Sequence, residues 1–400
     1  MRNQKNGDGV LKIFLEGTID SANARNCERE IDALLEETNA TNVTLNCAGL
    51  EYVSSAGLRV FMKLAKRLQT LRIEDVSSDV YEVFDITGLS QVLDVHKVLR
   101  EVDVSGLDLL GEGANGKVYR LTPDEMIKVF RPGIPLDDIE SERQASRQAF
   151  LLGVPCAIPF DTVRCGDSYG IIYEMFKAVT LSERIVADPG TLEDCAVRSA
   201  EVLRNLHGIE VSEDMLPDAT RAYYGYLEHI ASHFTDDENE RLRHLWDAIP
   251  HMDRFVHSDY HPKNVMYSNG EMMIIDLGDA GSGNPLLDWI HTYSMFNLLG
   301  TAAEERSDDE MSYLGITYGD LHRFWRIFSE TYFGDADRAE RMGTLLEPWG
   351  WLAYLSASMC HPLLNDEYRL AYARRVRDEV LAHDEDMIAS LPEMQALMPQ

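Results

Sequence analysis

Apolar positions between residues 10 and 100 switch repeatedly between two periods. Residues 10–15 and 43–47 are short, β-branched-rich runs that predict strands, and between them Cys27, Ile31, Leu34 and Leu35 recur at helical spacing. Leu58, Phe61, Ala65 and Leu68 mark one face of a second helix. A strand follows at 71–76, then a third helix through Val80, Val83 and Phe84. This pattern predicts an α/β unit over residues 1–100. A second start follows at residue 107: a glycine-rich hairpin over 109–130, a helix over 140–152, a strand at 169–176, and mostly helix to the end. Residues 321–333 and 368–388 are amphipathic and charge-rich, as expected of helices packed on one side. The expected domains are 1–100 and 101–400, the second divided near residue 176 into a small sheet-bearing lobe (about 105–176) and a helical lobe (177–400).

Composition narrows the classes. At 45% apolar and 26% charged, 400 residues read as a soluble chain of two or three domains. The six cysteines form no Cys-x-x-Cys pair, no secretory leader pattern precedes residue 10, and no window approaches the roughly 18 to 20 apolar residues of a membrane span. A cytoplasmic setting with no membrane partner is expected. The net charge of −31 is uneven, with −3 on residues 1–100 and −28 on the rest. Such acidity repels nucleic acid and attracts cationic ligands, although acidic faces also serve plain solubility.

Against this background three groups of residues carry chemistry. Gly111, Gly113 and Gly116, with Val118 behind them, fit G-x-G-x-x-G-x-V, a strand-turn-strand whose backbone N–H groups cover nucleotide phosphates. A Thr-Pro-Asp-Glu turn follows, and the returning strand carries Lys128 among apolar neighbours, ten residues after Val118. A cation there would bridge the α- and β-phosphates of ATP. Glu142 is the expected carboxylate partner of Lys128, with Glu140 as the alternative. The third group is His257-Ser-Asp259-Tyr-His261-Pro-Lys-Asn264, followed by Asp276-Leu-Gly278. An Asp, an Asn five residues on and an Asp-x-Gly seventeen residues on match the kinase catalytic loop and its metal-binding Asp. In that pattern Asp259 accepts the proton of the attacking hydroxyl, and Asn264 and Asp276 hold Mg²⁺. His257 and His261 are expected to scaffold the loop, because Pro262 and the lack of a third ligand argue against a zinc site.

Over residues 105–390 the chain resembles the aminoglycoside phosphotransferase and choline kinase-like enzymes. The resemblance implies a two-lobed, protein-kinase-like α+β domain using ATP, with Glu174 and Phe176 in a hinge segment (172–176) whose backbone meets adenine. Ser258 stands where that family has glycine. Few residues separate Asp276 from the helical pattern at Leu286, and no Ala-Pro-Glu segment follows, so a small hydroxylated acceptor is expected rather than a peptide. Asp308, Asp309, Glu310, Asp335 and Asp337 could receive an amine-bearing ligand, against the plainer reading that they are solvated.

Residues 45–58 read as a strand, a turn and then an amphipathic helix, with Ser54 or Ser55 where an N-cap belongs. The same position favours a phosphate, because a helix N-terminus stabilises negative charge. Gly17-Thr-Ile-Asp20, the Val53-Ser-Ser-Ala-Gly-Leu run and Thr87-Gly88-Leu89 resemble the STAS family of anti-sigma-factor antagonists over residues 8–100. That family's phosphorylatable serine falls on Ser55, with Ser54 in place of the preceding aspartate. The expected protein is therefore an ATP-dependent small-molecule kinase, its acceptor an amino sugar or amino alcohol, fused to a STAS module that regulates it or binds an anti-sigma-factor-like partner. Two alternatives stand beside it: a signalling serine kinase acting on Ser55 or another STAS protein, and a nucleotide-responsive scaffold.

Overall fold

A computed structural model describes residues 2–5, 10–113, 115–298, 310–361 and 364–399. The chain forms two compact units, Met1–Glu101 and Val102–Gln400. The first contains β1 (Arg2–Lys5), β2 (Leu11–Ile19), α1 (Ala24–Thr38), β3 (Asn42–Val53), α2 (Ser55–Arg67), β4 (Thr70–Val76), α3 (Ser78–Ile86) and β5 (Asp94–Lys97). Its sheet runs β1-β2-β3-β4-β5, with β2 to β5 parallel and β1 antiparallel. Parallel neighbours require crossovers, and the three helices supply them. Leu11, Ile13 and Leu15 alternate into a core that receives Ile31, Leu35, Phe61, Leu64 and Phe84 from the helices. The edge strands β1 and β5 escape the apolar pattern because they are four-residue, largely polar segments.

One expectation is corrected here. No turn separates the strand at 43–47 from the following helix: β3 continues to Val53, slipping register against β2 between Phe14 and Glu16 and again between Gly17 and Thr18. Gly49 permits the close passage, since a Cβ there would lie 2.8 Å from Glu16 Cγ. The strand therefore leads directly into the Ser54 cap of α2.

The second unit opens with β6 (Leu109–Glu112), β7 (Gly116–Arg120), β8 (Glu125–Phe130), α4 (Leu136–Leu151), β9 (Pro159–Cys165) and β10 (Ser168–Glu174). These strands form an antiparallel sheet in the order β6-β7-β8-β10-β9. A helical region follows: β11 (Val179–Thr180), α5 (Leu181–Ala187), α6 (Leu192–His207), α7 (Arg221–Ile230), α8 (Asp236–Ala248), β12 (Arg254–Val256), β13 (Val265–Ser268), β14 (Glu271–Ile274), β15 (Gly281–Gly283) and α9 (Leu286–Tyr293). It ends with α10 (Tyr318–Phe333), α11 (Ala336–Met359), α12 (Asp366–Val376) and α13 (Asp384–Leu397). Trp246, Trp289, Trp349 and Phe328 are among its most deeply buried side chains. The single helix expected over 368–388 is broken by a π turn at Arg377–Leu381. There Arg377 reaches Glu238, and Arg241 reaches Asp384 at the start of α13. No helix among the described residues is long and apolar enough to cross a membrane.

The three glycines of the β6–β7 hairpin differ physically. A Cβ on Gly116 would sit 2.1 Å from the Val129 carbonyl oxygen across the ladder, whereas one on Gly111 or Gly113 would meet nothing within 4 Å. Gly116→Ala should therefore cost about 1–3 kcal/mol in chemical denaturation, while Gly111→Ala should stay within about 0.5 kcal/mol of the parent. Equal losses at both positions would contradict this division.

Candidate active site

Short strands place the polar loop. β12 ends at Val256, His257–Asn264 form the turn, and β13 begins at Val265. The β13–β14 hairpin brings Asp276 back beside this loop, where the Ile275 N–H donates to the Asn264 carbonyl (3.0 Å). β15 pairs with β12, so the stretch after Asp276 returns to the strand from which the loop leaves.

From the sheet side, Lys128 on β8 extends towards α4 and the Asp276 segment. Its Nζ lies 2.6 Å from Glu142 Oε1 and 3.0 Å from Asp276 Oδ1. Burial opposes its charge, but the Asp276 and Glu142 carboxylates outweigh that and hold Lys128 above the ordinary lysine range. Glu140 instead pairs with Arg143 (2.8 Å), which decides between the two glutamates. Gly278 packs on Glu142: a Cβ there would fall 3.2 Å from its Cγ. At the other end of the sheet, β10 stops at Glu174, which is exposed and donates its N–H to Ile158 O, while the Met175 N–H donates to Asp124 O. Phe176 follows, half-buried, and its N–H has no backbone partner among the described residues.

Both carboxylate oxygens of Asp259 are held. Oδ1 accepts from His291 Nε2 at 2.9 Å, with His261 Nε2 at 3.4 Å, and Oδ2 accepts from Asn264 Nδ2 at 2.9 Å. Burial would raise its pKa, but the hydrogen bonds and charges of His261 and His291 carry it well below the usual carboxylate range. Asn264 spends both amide hydrogens on Asp259, on the carboxylate and on the backbone oxygen (3.0 Å). Its side-chain oxygen has no partner among the described residues. His257 is held at both ring nitrogens. Its Nδ1 accepts from the Asp259 N–H (3.2 Å), its Nε2 donates to Ile275 O (3.2 Å), and burial pushes its pKa below the ordinary histidine value.

Several contributors lay outside the sequence reading. Asp288 on α9 is fully buried, accepting from the His257 N–H (2.9 Å), the Ser258 N–H (2.7 Å) and His207 Nε2 (2.9 Å). His207 in turn meets the Tyr332 hydroxyl at 2.6 Å. The one available signal was polarity without a polar face, since Asp288 lies between Leu287 and Trp289 in an otherwise apolar segment. His291 lies one helical turn further along. Arg221 on α7 donates to Gly278 O (3.1 Å) and Ala280 O (3.4 Å), fixing the stretch after Asp276. The Tyr226 phenol is pushed up to about 12 by burial and by the Asp279 and Asp259 carboxylates. Of the acidic residues considered for an amine, Asp308 and Asp309 lie outside the described residues. Asp335 caps α11, and Glu310 and Asp337 are exposed.

Ser258 has φ = 70°, the left-handed region that glycine occupies without strain, and its hydroxyl is buried without a partner among the described residues. Ser258→Gly should stabilise the fold by about 1 kcal/mol. A lower denaturation midpoint in that variant would show that the hydroxyl contributes something this geometry does not contain.

In the first unit, Ser54 is the N-cap of α2, its hydroxyl accepting from the Ala56 N–H (3.2 Å) and, at 3.5 Å, the Gly57 N–H. Ser55 is the first helical residue and is exposed.

Residues 3–105 match the STAS domain and residues 107–328, more than half of the chain, match the phosphotransferase enzyme family. BtrV of Bordetella bronchiseptica, whose name assigns it provisionally to the anti-sigma factor antagonists, is 37% identical over 92 residues, covering 22% of this chain and 78% of that protein. Among solved structures, ADP-bound aminoglycoside phosphotransferase APH(2'')-Ib aligns with a TM-score of 0.47 and 16% identity, covering 77% of this chain and 98% of that one. A choline/ethanolamine kinase family protein from Mesorhizobium loti aligns with a TM-score of 0.42 and 18% identity, covering 74% and 93%. ATP-dependent transfer of phosphate to a hydroxyl is the activity that goes with the larger match, and it agrees with the α/β and kinase-like folds of the two units. The chain accordingly belongs to the phosphotransferase enzyme family, with a STAS domain in front of its phosphotransferase domain.

Proposed function

We propose that this protein moves the γ-phosphoryl group of ATP to a hydroxyl of a small cationic molecule, an amino sugar or amino alcohol, in the cytoplasm, and that the STAS domain regulates it or docks an anti-sigma-factor-like partner. One continuous set of contacts supports the reading: Glu142 to Lys128 to Asp276, and Ile275 to Asn264 to Asp259. In this reading Asp259 takes the proton as the acceptor oxygen attacks, and its neighbours hold it ionised for that task. Lys128, fixed by Glu142, pairs with the nucleotide phosphates. Gly111, Gly113 and Gly116 let backbone N–H groups approach those phosphates. Glu174 and Phe176 present backbone to adenine.

The donor set fits Mg²⁺. Asn264 directs both hydrogens at Asp259 and so leaves a hard carbonyl oxygen, while the Asp276 carboxylate is 39% exposed and faces Lys128. When bound there, the ion would neutralise phosphate oxygens. The charge of −28 on residues 101–400 supports a cationic acceptor.

One observation favours a second reading, transfer to Ser55. With Ser54 committed to the cap, the exposed Ser55 hydroxyl is open to modification at a helix N-terminus. Labelled ATP with Mg²⁺, offered to the protein with and without aminoglycosides, choline and ethanolamine, separates the two. We expect label on a small molecule, unchanged in Ser55→Ala and lowered about 100-fold or more in kcat/KM for Lys128→Met. Label on protein that disappears in Ser55→Ala would establish the second reading, and failure to consume ATP would refute both.

A further inference from the structure

Three histidines surround the Asp259 loop, and two of them accept a backbone N–H at Nδ1. His257 accepts the Asp259 N–H at Nδ1 and donates to Ile275 O from Nε2. His261 accepts the Lys263 N–H at Nδ1 (3.3 Å) and turns Nε2 towards Asp259 Oδ1 (3.4 Å). His291 differs from both. Its Nε2 lies 2.9 Å from Asp259 Oδ1, the shorter of the two histidine contacts to that oxygen, and its Nδ1 has no partner among the described residues. The ring is 23% exposed, so Nδ1 can gain or lose a proton without rearrangement of the loop.

We propose that His291 is a positioning residue for Asp259: donating from Nε2, it orients the carboxylate and makes its basicity follow the protonation state of the ring. The proposal rests on the reading of Asp259 as the base. The charged and titratable groups around His291 include Asp259 and His261 from the loop, Asp288 from its own helix and Asp279 from the stretch before it, and the three carboxylates favour a charged ring. Burial opposes a charge on the ring, but the bond to Asp259 and these carboxylates hold its pKa above the ordinary value. With the ring charged, Asp259 is a weak proton acceptor. When the ring becomes neutral, the Nε2–H bond stays and the positive charge leaves. Asp259 then accepts the acceptor's hydroxyl proton more readily, as the new O–P bond forms and the bond from the γ-phosphorus to the β-phosphate oxygen breaks. Turnover should therefore rise with pH through the His291 titration.

The test has two readouts on the full chain. The first is NMR titration of ring-labelled histidine, with the His291 signal assigned by its loss in His291→Gln. Its midpoint should lie above the ordinary histidine value of about 6.5 and fall in Asp259→Asn. The second is the pH profile of kcat for ATP turnover with water as acceptor. Wild type should show the rising limb. His291→Gln, which keeps an N–H donor but cannot charge, should lose the limb and stay near the high-pH rate. His291→Ala should fall about 10- to 100-fold throughout, because the donor itself is gone. An ordinary midpoint, a midpoint indifferent to Asp259→Asn, or a limb that persists in His291→Gln would each overturn the proposal. Absence of ATP turnover in wild type with water and with aminoglycosides, choline and ethanolamine alike would strike the phosphotransfer reading instead, and the titration would still decide whether the two side chains are coupled.

Discussion

Asp259→Asn should lower turnover by about 10²- to 10⁴-fold while leaving ATP affinity nearly unchanged. The expectation follows from what the side chain touches. Its oxygens face Asn264, His261 and His291, whereas Lys128, read as phosphate-binding, makes its ion pairs with Glu142 and Asp276. An amide of the same shape retains one acceptor oxygen but cannot take a proton from the attacking hydroxyl. Steady-state kcat together with nucleotide binding by calorimetry checks both halves. Loss of ATP affinity in step with turnover would place Asp259 in nucleotide binding rather than in proton transfer.

The largest loss of stability is expected away from the reacting groups, at Asp288→Ala. That change removes the shared acceptor of two backbone N–H groups and a histidine in a fully buried position, and breaking such a pair typically costs about 3–5 kcal/mol. The sign with pH follows from the direction of the shift. Burial raises the Asp288 pKa, but the hydrogen bond and charge of His207 with the other contacts bring it below the ordinary carboxylate value. Its stabilising contribution is therefore complete above the unfolded carboxylate pKa and is lost as pH falls through the lower, folded one. Urea denaturation at neutral pH should show the full difference between wild type and Asp288→Ala, with the two converging in acid. A variant as stable as wild type at neutral pH would contradict the role given to Asp288 as shared acceptor.

Legibility in the sequence divides along a physical line. Asp259, Asn264 and Asp276 could be read because they lie on one loop and hairpin, where spacing along the chain nearly fixes spacing in space. Lys128 and Glu142 were legible from strand and helix order, but only side-chain reach settled Glu142 over Glu140. Asp288 and His291 were not legible. They sit on α9, whose apolar pattern reports burial, and burial conceals what a polar exception is paired with. The same applies to His207 and Tyr332, which lie far apart in sequence and share a contact only after helices pack. In the first unit, the apolar period located β2, β3 and β4, while β1 and β5 are polar edges. The end of β3 was obscured because Gly49, ordinarily a turn signal, serves there as a clearance between strands.

The segment between Ile275 and Asp288 is tied at both ends to the same residue. The Ile275 carbonyl accepts from the His257 ring, and the Asp288 carboxylate accepts from the His257 backbone. It thus forms a ring closed by hydrogen bonds, whose circumference is set by the number of residues in it. Shortening that ring would force one closure open, releasing either the turn that carries Asp276 or the backbone that carries Asp259, whereas added residues would have to bulge outward from it.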